Sequence, residues 1–138
     1  MKKFLTLVLG LIMITACSSD DKGSSTVDGA KITKKWYFST TKIGGQTIPY
    51  TDHEDCGKDY VEFLSSGVFK EVDVMDCELI TDAGTWNLDG KNLTIFFSDG
   101  PKDFVVSKLT ATALEVTYQE DYDDNGVVET VITTFTDK

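Results

Sequence analysis

From Trp36 to Phe135, apolar side chains recur at every second residue, in runs broken about every ten residues by glycine, asparagine, aspartate or serine. Alternation of period two marks strands with one buried face, and connections this short leave no room for a crossover helix. Strands adjacent in sequence must therefore pair antiparallel. The runs number about eight. An eight-stranded meander keeps two exposed edges unless it closes, and pairing the first strand with the last removes both. The expected fold is all-β, a single antiparallel up-and-down barrel of about eight strands. A two-sheet sandwich is the rival, less natural because a Greek key needs a long connection.

Ile32, Trp36 and Phe38 fall on one face of the first strand. Between Cys56 and Trp86 the sequence reads as a hairpin feeding a third strand. A two-residue loop at Ser66-Gly67 sets Glu62 against Glu71, which is unfavourable on a ladder. A three-residue loop, with Gly67 left-handed after Ser65-Ser66, pairs Phe63 with Phe69 and Glu62 with Lys70 instead. We take this second register, with one bulge nearer the cysteines. Either register brings Cys56 and Cys77 within one residue of facing each other, as a disulfide requires; the alternative is two buried free thiols. The longest irregular stretch is 42–58. In it Gly44-Gly45 can turn a short extra hairpin through Thr47 and Ile48, ended by Pro49. A short strand over 84–88, an apolar LTIFF run over 93–97 expected to be covered on both faces, strands through 104–109 and 114–119, and a return from Val127 to Phe135 complete the reading.

The N-terminus settles the compartment. Lys2 and Lys3 precede an apolar run, Phe4 to Ile14, that is too short to span a bilayer. Ile14-Thr15-Ala16-Cys17 resembles the lipobox of bacterial lipoproteins, which makes residues 1–16 a signal peptide and Cys17 the lipid-modified first residue of the mature chain. Residues 17–30 then form a flexible tether with a reach of about 20 Å, and 31–138 the barrel domain. Asp20 and Asp21 resemble the acidic signal that sends some Gram-negative lipoproteins to the cell surface; an ordinary solvated linker is the plain alternative. The expected location is the cell envelope, as an outer-membrane lipoprotein, with Cys56 and Cys77 in an oxidising compartment.

Loss of Lys2 and Lys3 with the signal lowers the formal charge from −10 to −12. The chain has no arginine. Both facts argue against nucleic acid and against a bidentate clamp for phosphate or carboxylate. An acidic domain is not drawn to anionic lipid either, so the membrane partner is reached through acyl chains. One core is expected, in a monomer.

Catalytic chemistry is hard to find. His53, the single histidine, lies among Thr51, Asp52, Glu54 and Asp55 with no nucleophile beside it and reads as a surface loop residue. No enzyme activity and no cofactor are expected. Asp121, Asp123, Asn125 and Gly126 reproduce the opening of a calcium loop, with Glu129 at the ninth position, but Ile132 occupies the place of the bidentate glutamate. Asn125-Gly126 is a good hairpin turn by itself. Metal is not expected there.

Trp36, the run Cys56, Asp59, Phe63 and Gly67, the second cysteine Cys77, and Gly84-Thr85-Trp86 together resemble the lipocalin-like domains of bacterial lipoproteins over residues 30–136. Lys34 stands where the usual G-x-W opening has its glycine. The resemblance implies a small barrel with a ligand cavity and names no substrate. Inward candidates are Trp36, Phe38, Phe63, Phe69, Trp86, Phe97, Phe104 and Tyr118, interspersed with hydroxyls such as Thr94, Thr117 and Thr130. An interior of this kind suits one small apolar or amphipathic molecule, uncharged or cationic, entering past a lid around Ile48, Pro49 and Tyr50. The other reading is a surface interaction scaffold, non-enzymatic, with these side chains filling the barrel.

Overall fold

The computed structural model describes residues 27–138; the expected signal peptide, Cys17 and most of the expected tether lie outside the described residues. One helical turn, α1 (Gly29–Ile32), precedes nine strands: β1 (Lys35–Ile43), β2 (Gln46–Pro49), β3 (Tyr60–Phe63), β4 (Val68–Met75), β5 (Glu78–Asp89), β6 (Asn92–Phe97), β7 (Gly100–Leu109), β8 (Ala113–Glu120) and β9 (Glu129–Thr136). Every consecutive pair from β3 to β9 is antiparallel, and β1 pairs with both β3 and β9. Eight strands thus close into a barrel, and β2 is an extra strand folded back on the second half of β1. Gly44 and Gly45, at φ 56° and 85°, make that hairpin turn.

Ile32 is not in the first strand. It ends α1, whose N-terminus is capped by Asp28 accepting from the Ala30 amide at 3.0 Å. Ile32 is fully buried beneath the barrel, and its carbonyl accepts from the Trp36 indole Nε1 at 2.8 Å. Together with Leu93, Val106 and Leu114 they seal one end. Lys34 has a use at this end: its ammonium lies 4.1 Å from the Trp36 ring centre and donates to the Ala111 carbonyl across the β7–β8 turn.

The β3–β4 hairpin has the three-residue register, with Glu62 opposite Lys70, Phe63 opposite Phe69, and Gly67 at φ 85°. No bulge adjusts it toward the cysteines, because β3 begins only at Tyr60 and Cys56 lies in the preceding loop. Cys77 sits in the turn between β4 and β5, where Asp76 and Cys77 are both left-handed at φ 54° and 63°. Two carboxylate oxygens of Glu54 accept from the amides of Asp76 and Cys77, at 2.8 and 2.9 Å, and steady this costly backbone. The disulfide joins Cys56 to Cys77 across Cα atoms 5.8 Å apart. Closing a loop of 21 residues, it is expected to stabilise the domain by about 3 kcal/mol on the chain-entropy estimate. A urea midpoint unchanged in the Cys56→Ser, Cys77→Ser double variant would contradict that.

Strand β5 is far longer than the 84–88 expected. Its first half, Glu78 to Ala83, is exposed throughout and pairs with β4 residue for residue, Leu79 opposite Val74 and Thr81 opposite Val72. The LTIFF run is covered on one face only: Leu93 and Ile95 point inward, and Phe96 is 45% exposed outside. Strand β9 starts at Glu129, leaving Val127 and Val128 in the loop. By the alternation of turns, the ends of the strands near 43, 75, 97, 120 and 129 ring the open mouth of the barrel.

Candidate functional site

Strand parity above the sealed end decides what the interior contains. Inward positions carry Phe63 on β3, Phe69 and Glu71 on β4, Ile95 and Phe97 on β6, Lys102 and Phe104 on β7, Val116 and Tyr118 on β8, and Thr133 and Phe135 on β9. They border a cavity of about 420 Å³ that is open at one end.

Of the eight aromatic candidates, six border this space: Phe38, Phe63, Phe69, Phe97, Phe104 and Tyr118. Their rings pack edge to face, Phe69 on Phe97 at 5.5 Å and Phe104 on Tyr118 at 5.2 Å. Trp36 and Trp86 lie below the floor. Trp86 meets Phe63 at 5.4 Å and donates from Nε1 to the Leu64 carbonyl at 3.0 Å, closing the base. Thr94, Thr117 and Thr130 are on the outer wall, where Thr94 donates to Asp103 and Gln119 to Thr130. Thr133 does place a hydroxyl inward, 3.4 Å from the Tyr118 hydroxyl.

Glu71 and Lys102 escape a search for hydrophobic faces, although the register that put Phe69 inside also put Glu71 there. Burial raises the Glu71 carboxyl above its ordinary 4.5, and the negative charges of Asp73 and Asp82 add to this against the opposing pull of Lys102. Burial likewise raises Asp73, helped by Asp59 and Asp82. Tyr118, across the cavity, is also raised, mainly by burial. For carboxyls raised in the fold, protonation favours the folded state: the gain is complete below the ordinary value and is lost as pH rises through the raised one. The melting temperature of the ligand-free protein is therefore expected to climb as pH falls from neutral toward 4.5, the ordinary value of Glu71, and Glu71→Gln is expected to flatten the climb. A wild-type melting temperature that falls over that interval would contradict the assignment.

The 50–59 segment is not a hinged lid. It fills the wall where β1 leaves β3, since β3 contacts β1 only through Lys35 to Tyr37. Tyr50 stacks on Phe38 at 5.0 Å and donates its hydroxyl to Asp59 Oδ2 at 2.5 Å; burial first, then this bond, drives the phenol well above its usual range. Asp59, 3% exposed, accepts from the Val74 amide through Oδ1 at 2.7 Å. His53 is not a free surface residue either. Its Nδ1 accepts from the Asp59 amide at 3.1 Å, which assigns the proton to Nε2, 2.9 Å from the Phe38 carbonyl.

Asp121 and Asn125 are occupied as turn formers. The Asp121 carboxylate accepts from the amides of Asn125 and Gly126 at 3.0 and 2.8 Å, and Asn125 Oδ1 accepts from Val127 at 2.8 Å. Asp123 is exposed at the tip and Glu129 opens β9. Among the described residues, the one close group of metal-type ligands is Glu54 with Cys56 and Cys77, whose sulfurs are bonded to each other.

Residues 32–116 match the family model described as a lipocalin-like domain. No curated protein matches the chain. Among solved structures it is similar to a lipocalin-like protein from Bacteroides uniformis, at 16% identity and a TM-score of 0.55, covering 75% of this chain and 97% of that one. A second similar structure, an uncharacterized protein from Bacteroides eggerthii, has 12% identity and a TM-score of 0.53, with 73% and 97% covered. At such identities the likeness is one of fold.

Proposed function

Because this chain belongs to the lipocalin-like domain family, we propose that its barrel binds a small apolar or amphipathic molecule and that acyl chains on Cys17 hold it to the cell envelope. The observation that carries the binding reading is the interior itself: its aromatic residues edge an opening of about 420 Å³ and leave it unfilled. Apolar walls with a few polar groups near one end are what a small amphipathic ligand requires. The work is binding and not catalysis, and the 31–138 barrel is the binding unit, with the tether as its spacer. Organic extraction of protein purified from the envelope is expected to release a noncovalently bound species; an empty extract, together with no uptake of a neutral apolar fluorophore, would overturn the reading. Anchoring is tested separately by Cys17→Ala, expected to move the protein to the soluble fraction.

One observation favours the interaction scaffold as a second reading. Exposed apolar side chains gather near the mouth, on β2 (Ile48), the β4–β5 hairpin (Met75, Leu79, Ile80) and the β8–β9 loop (Tyr122, Val127, Val128). Such an apolar rim can seat a partner as well as admit a ligand.

A further inference from the structure

The mouth of the cavity is strongly acidic on its inner face. Glu71 is directly opposite Asp82 on the β4–β5 ladder, and Glu120 directly opposite Glu129 on the β8–β9 ladder. Glu71 and Glu120 border the cavity, and residues paired across a ladder share a face, so Asp82 and Glu129 point the same way. Asp73, two residues from Glu71, has the same parity. Against these five carboxyls stands, among the described residues bordering the cavity, one cation, Lys102, whose ammonium is engaged over the Phe97 ring at 5.3 Å. Like charges directly opposed on a ladder are unfavourable. Here they occur twice, on opposite walls of one cavity whose deeper layer is apolar.

We propose that the ligand is a cationic amphiphile: an amine whose ammonium sits between Glu71 and Glu120 at the mouth and whose apolar body lies against Phe69, Phe104 and Val116 below. This rests on the cavity being the binding site and adds the charge of its occupant. Three features favour it over other ions. An ammonium relieves the opposed carboxyls, and the Tyr118 ring, two residues from Glu120 on the same wall, attracts it further. A fatty-acid carboxylate finds a single lysine, no arginine fork and an opposing field. A bare divalent metal needs oxygen ligands converging on one point, and among the described residues these carboxyls form no such group.

The experiment is competition for the cavity between three probes of one chain length, decylamine, decanol and decanoate, read by displacement of a neutral apolar fluorophore. Decylamine is expected to bind about tenfold more tightly than decanol, a difference of about 1.4 kcal/mol, and decanoate more weakly than either. Glu71→Gln is expected to collapse the amine-to-alcohol ratio toward one, and Lys102→Gln to enlarge it by removing the competing cation. Equal affinity for amine and alcohol, or tightest binding of decanoate, would overturn the cation assignment and leave the cavity reading intact. An unchanged ratio in Glu71→Gln would overturn the role of that carboxyl. No displacement by any probe, with no fluorophore bound at the outset, would overturn the cavity reading itself.

Discussion

Trp36→Ala is expected to destabilise the domain by about 4 kcal/mol, the usual range for deleting a large buried aromatic. The side chain is 0% exposed and sits where the barrel floor meets α1. Its removal opens a void under Leu93 and Leu114, leaves the Ile32 carbonyl with the Lys34 amide as its one remaining donor, and leaves Lys34 without a ring to lie across. The loss should appear as a lower urea midpoint with unchanged slope. Trp36→Phe should cost far less, because it keeps most of the buried area and gives up one hydrogen bond, worth about 1 kcal/mol. Two variants equal in stability would mean that the indole is not the keystone of the closed end.

Asp59→Ala should be nearly as damaging, at about 4 kcal/mol, because it strands two donors whose loss of partners costs about 1–3 kcal/mol each, in addition to the void. The donors are the Val74 amide on β4 and the Tyr50 hydroxyl. The consequence extends to the site. Tyr50 stacks on Phe38, and Phe38 borders the cavity, so freeing the 50–59 strap loosens one wall. Asp59→Asn retains an oxygen for the Val74 amide and should lose about half as much. Protection of the Val74 amide from hydrogen exchange is the local readout. If it persists in Asp59→Ala, another group holds the strap to β4.

Much of this architecture was legible because the strands keep parity, β1 and β7 breaking it once each, at Phe38–Thr40 and Val106–Lys108. Avoiding Glu62 opposite Glu71 and requiring a left-handed Gly67 were enough to select the β3–β4 register. Closure followed from counting short turns. What escaped notice has identifiable causes. The first half of β5 carries no buried residues, so no hydrophobic period marks it; pairing with β4 alone makes it a strand. Ile32 keeps the parity of Trp36 and Phe38 by coincidence, and only the Asp28 cap and the Trp36 indole bond place it in a helical turn. The 50–59 segment is held by Tyr50, His53 and Asp59, which bond to one another and to the backbone of Phe38 and Val74, and such partners leave no period in the sequence. The acidic mouth was present in the sequence as surplus charge. It acquires a position only once the ladders set Glu71 against Asp82 and Glu120 against Glu129.

The central claim, that the open interior is a binding site, is tested most directly by titrating Cys17→Ser protein with a neutral apolar fluorophore, beside the same protein carrying Val116→Trp. Val116 borders the cavity at mid-height, and an indole there occupies the space a ligand would take. The account predicts saturable uptake of one fluorophore per chain, abolished by Val116→Trp while the melting transition remains cooperative. Absence of saturable uptake, or equal uptake in the filled variant, would contradict it.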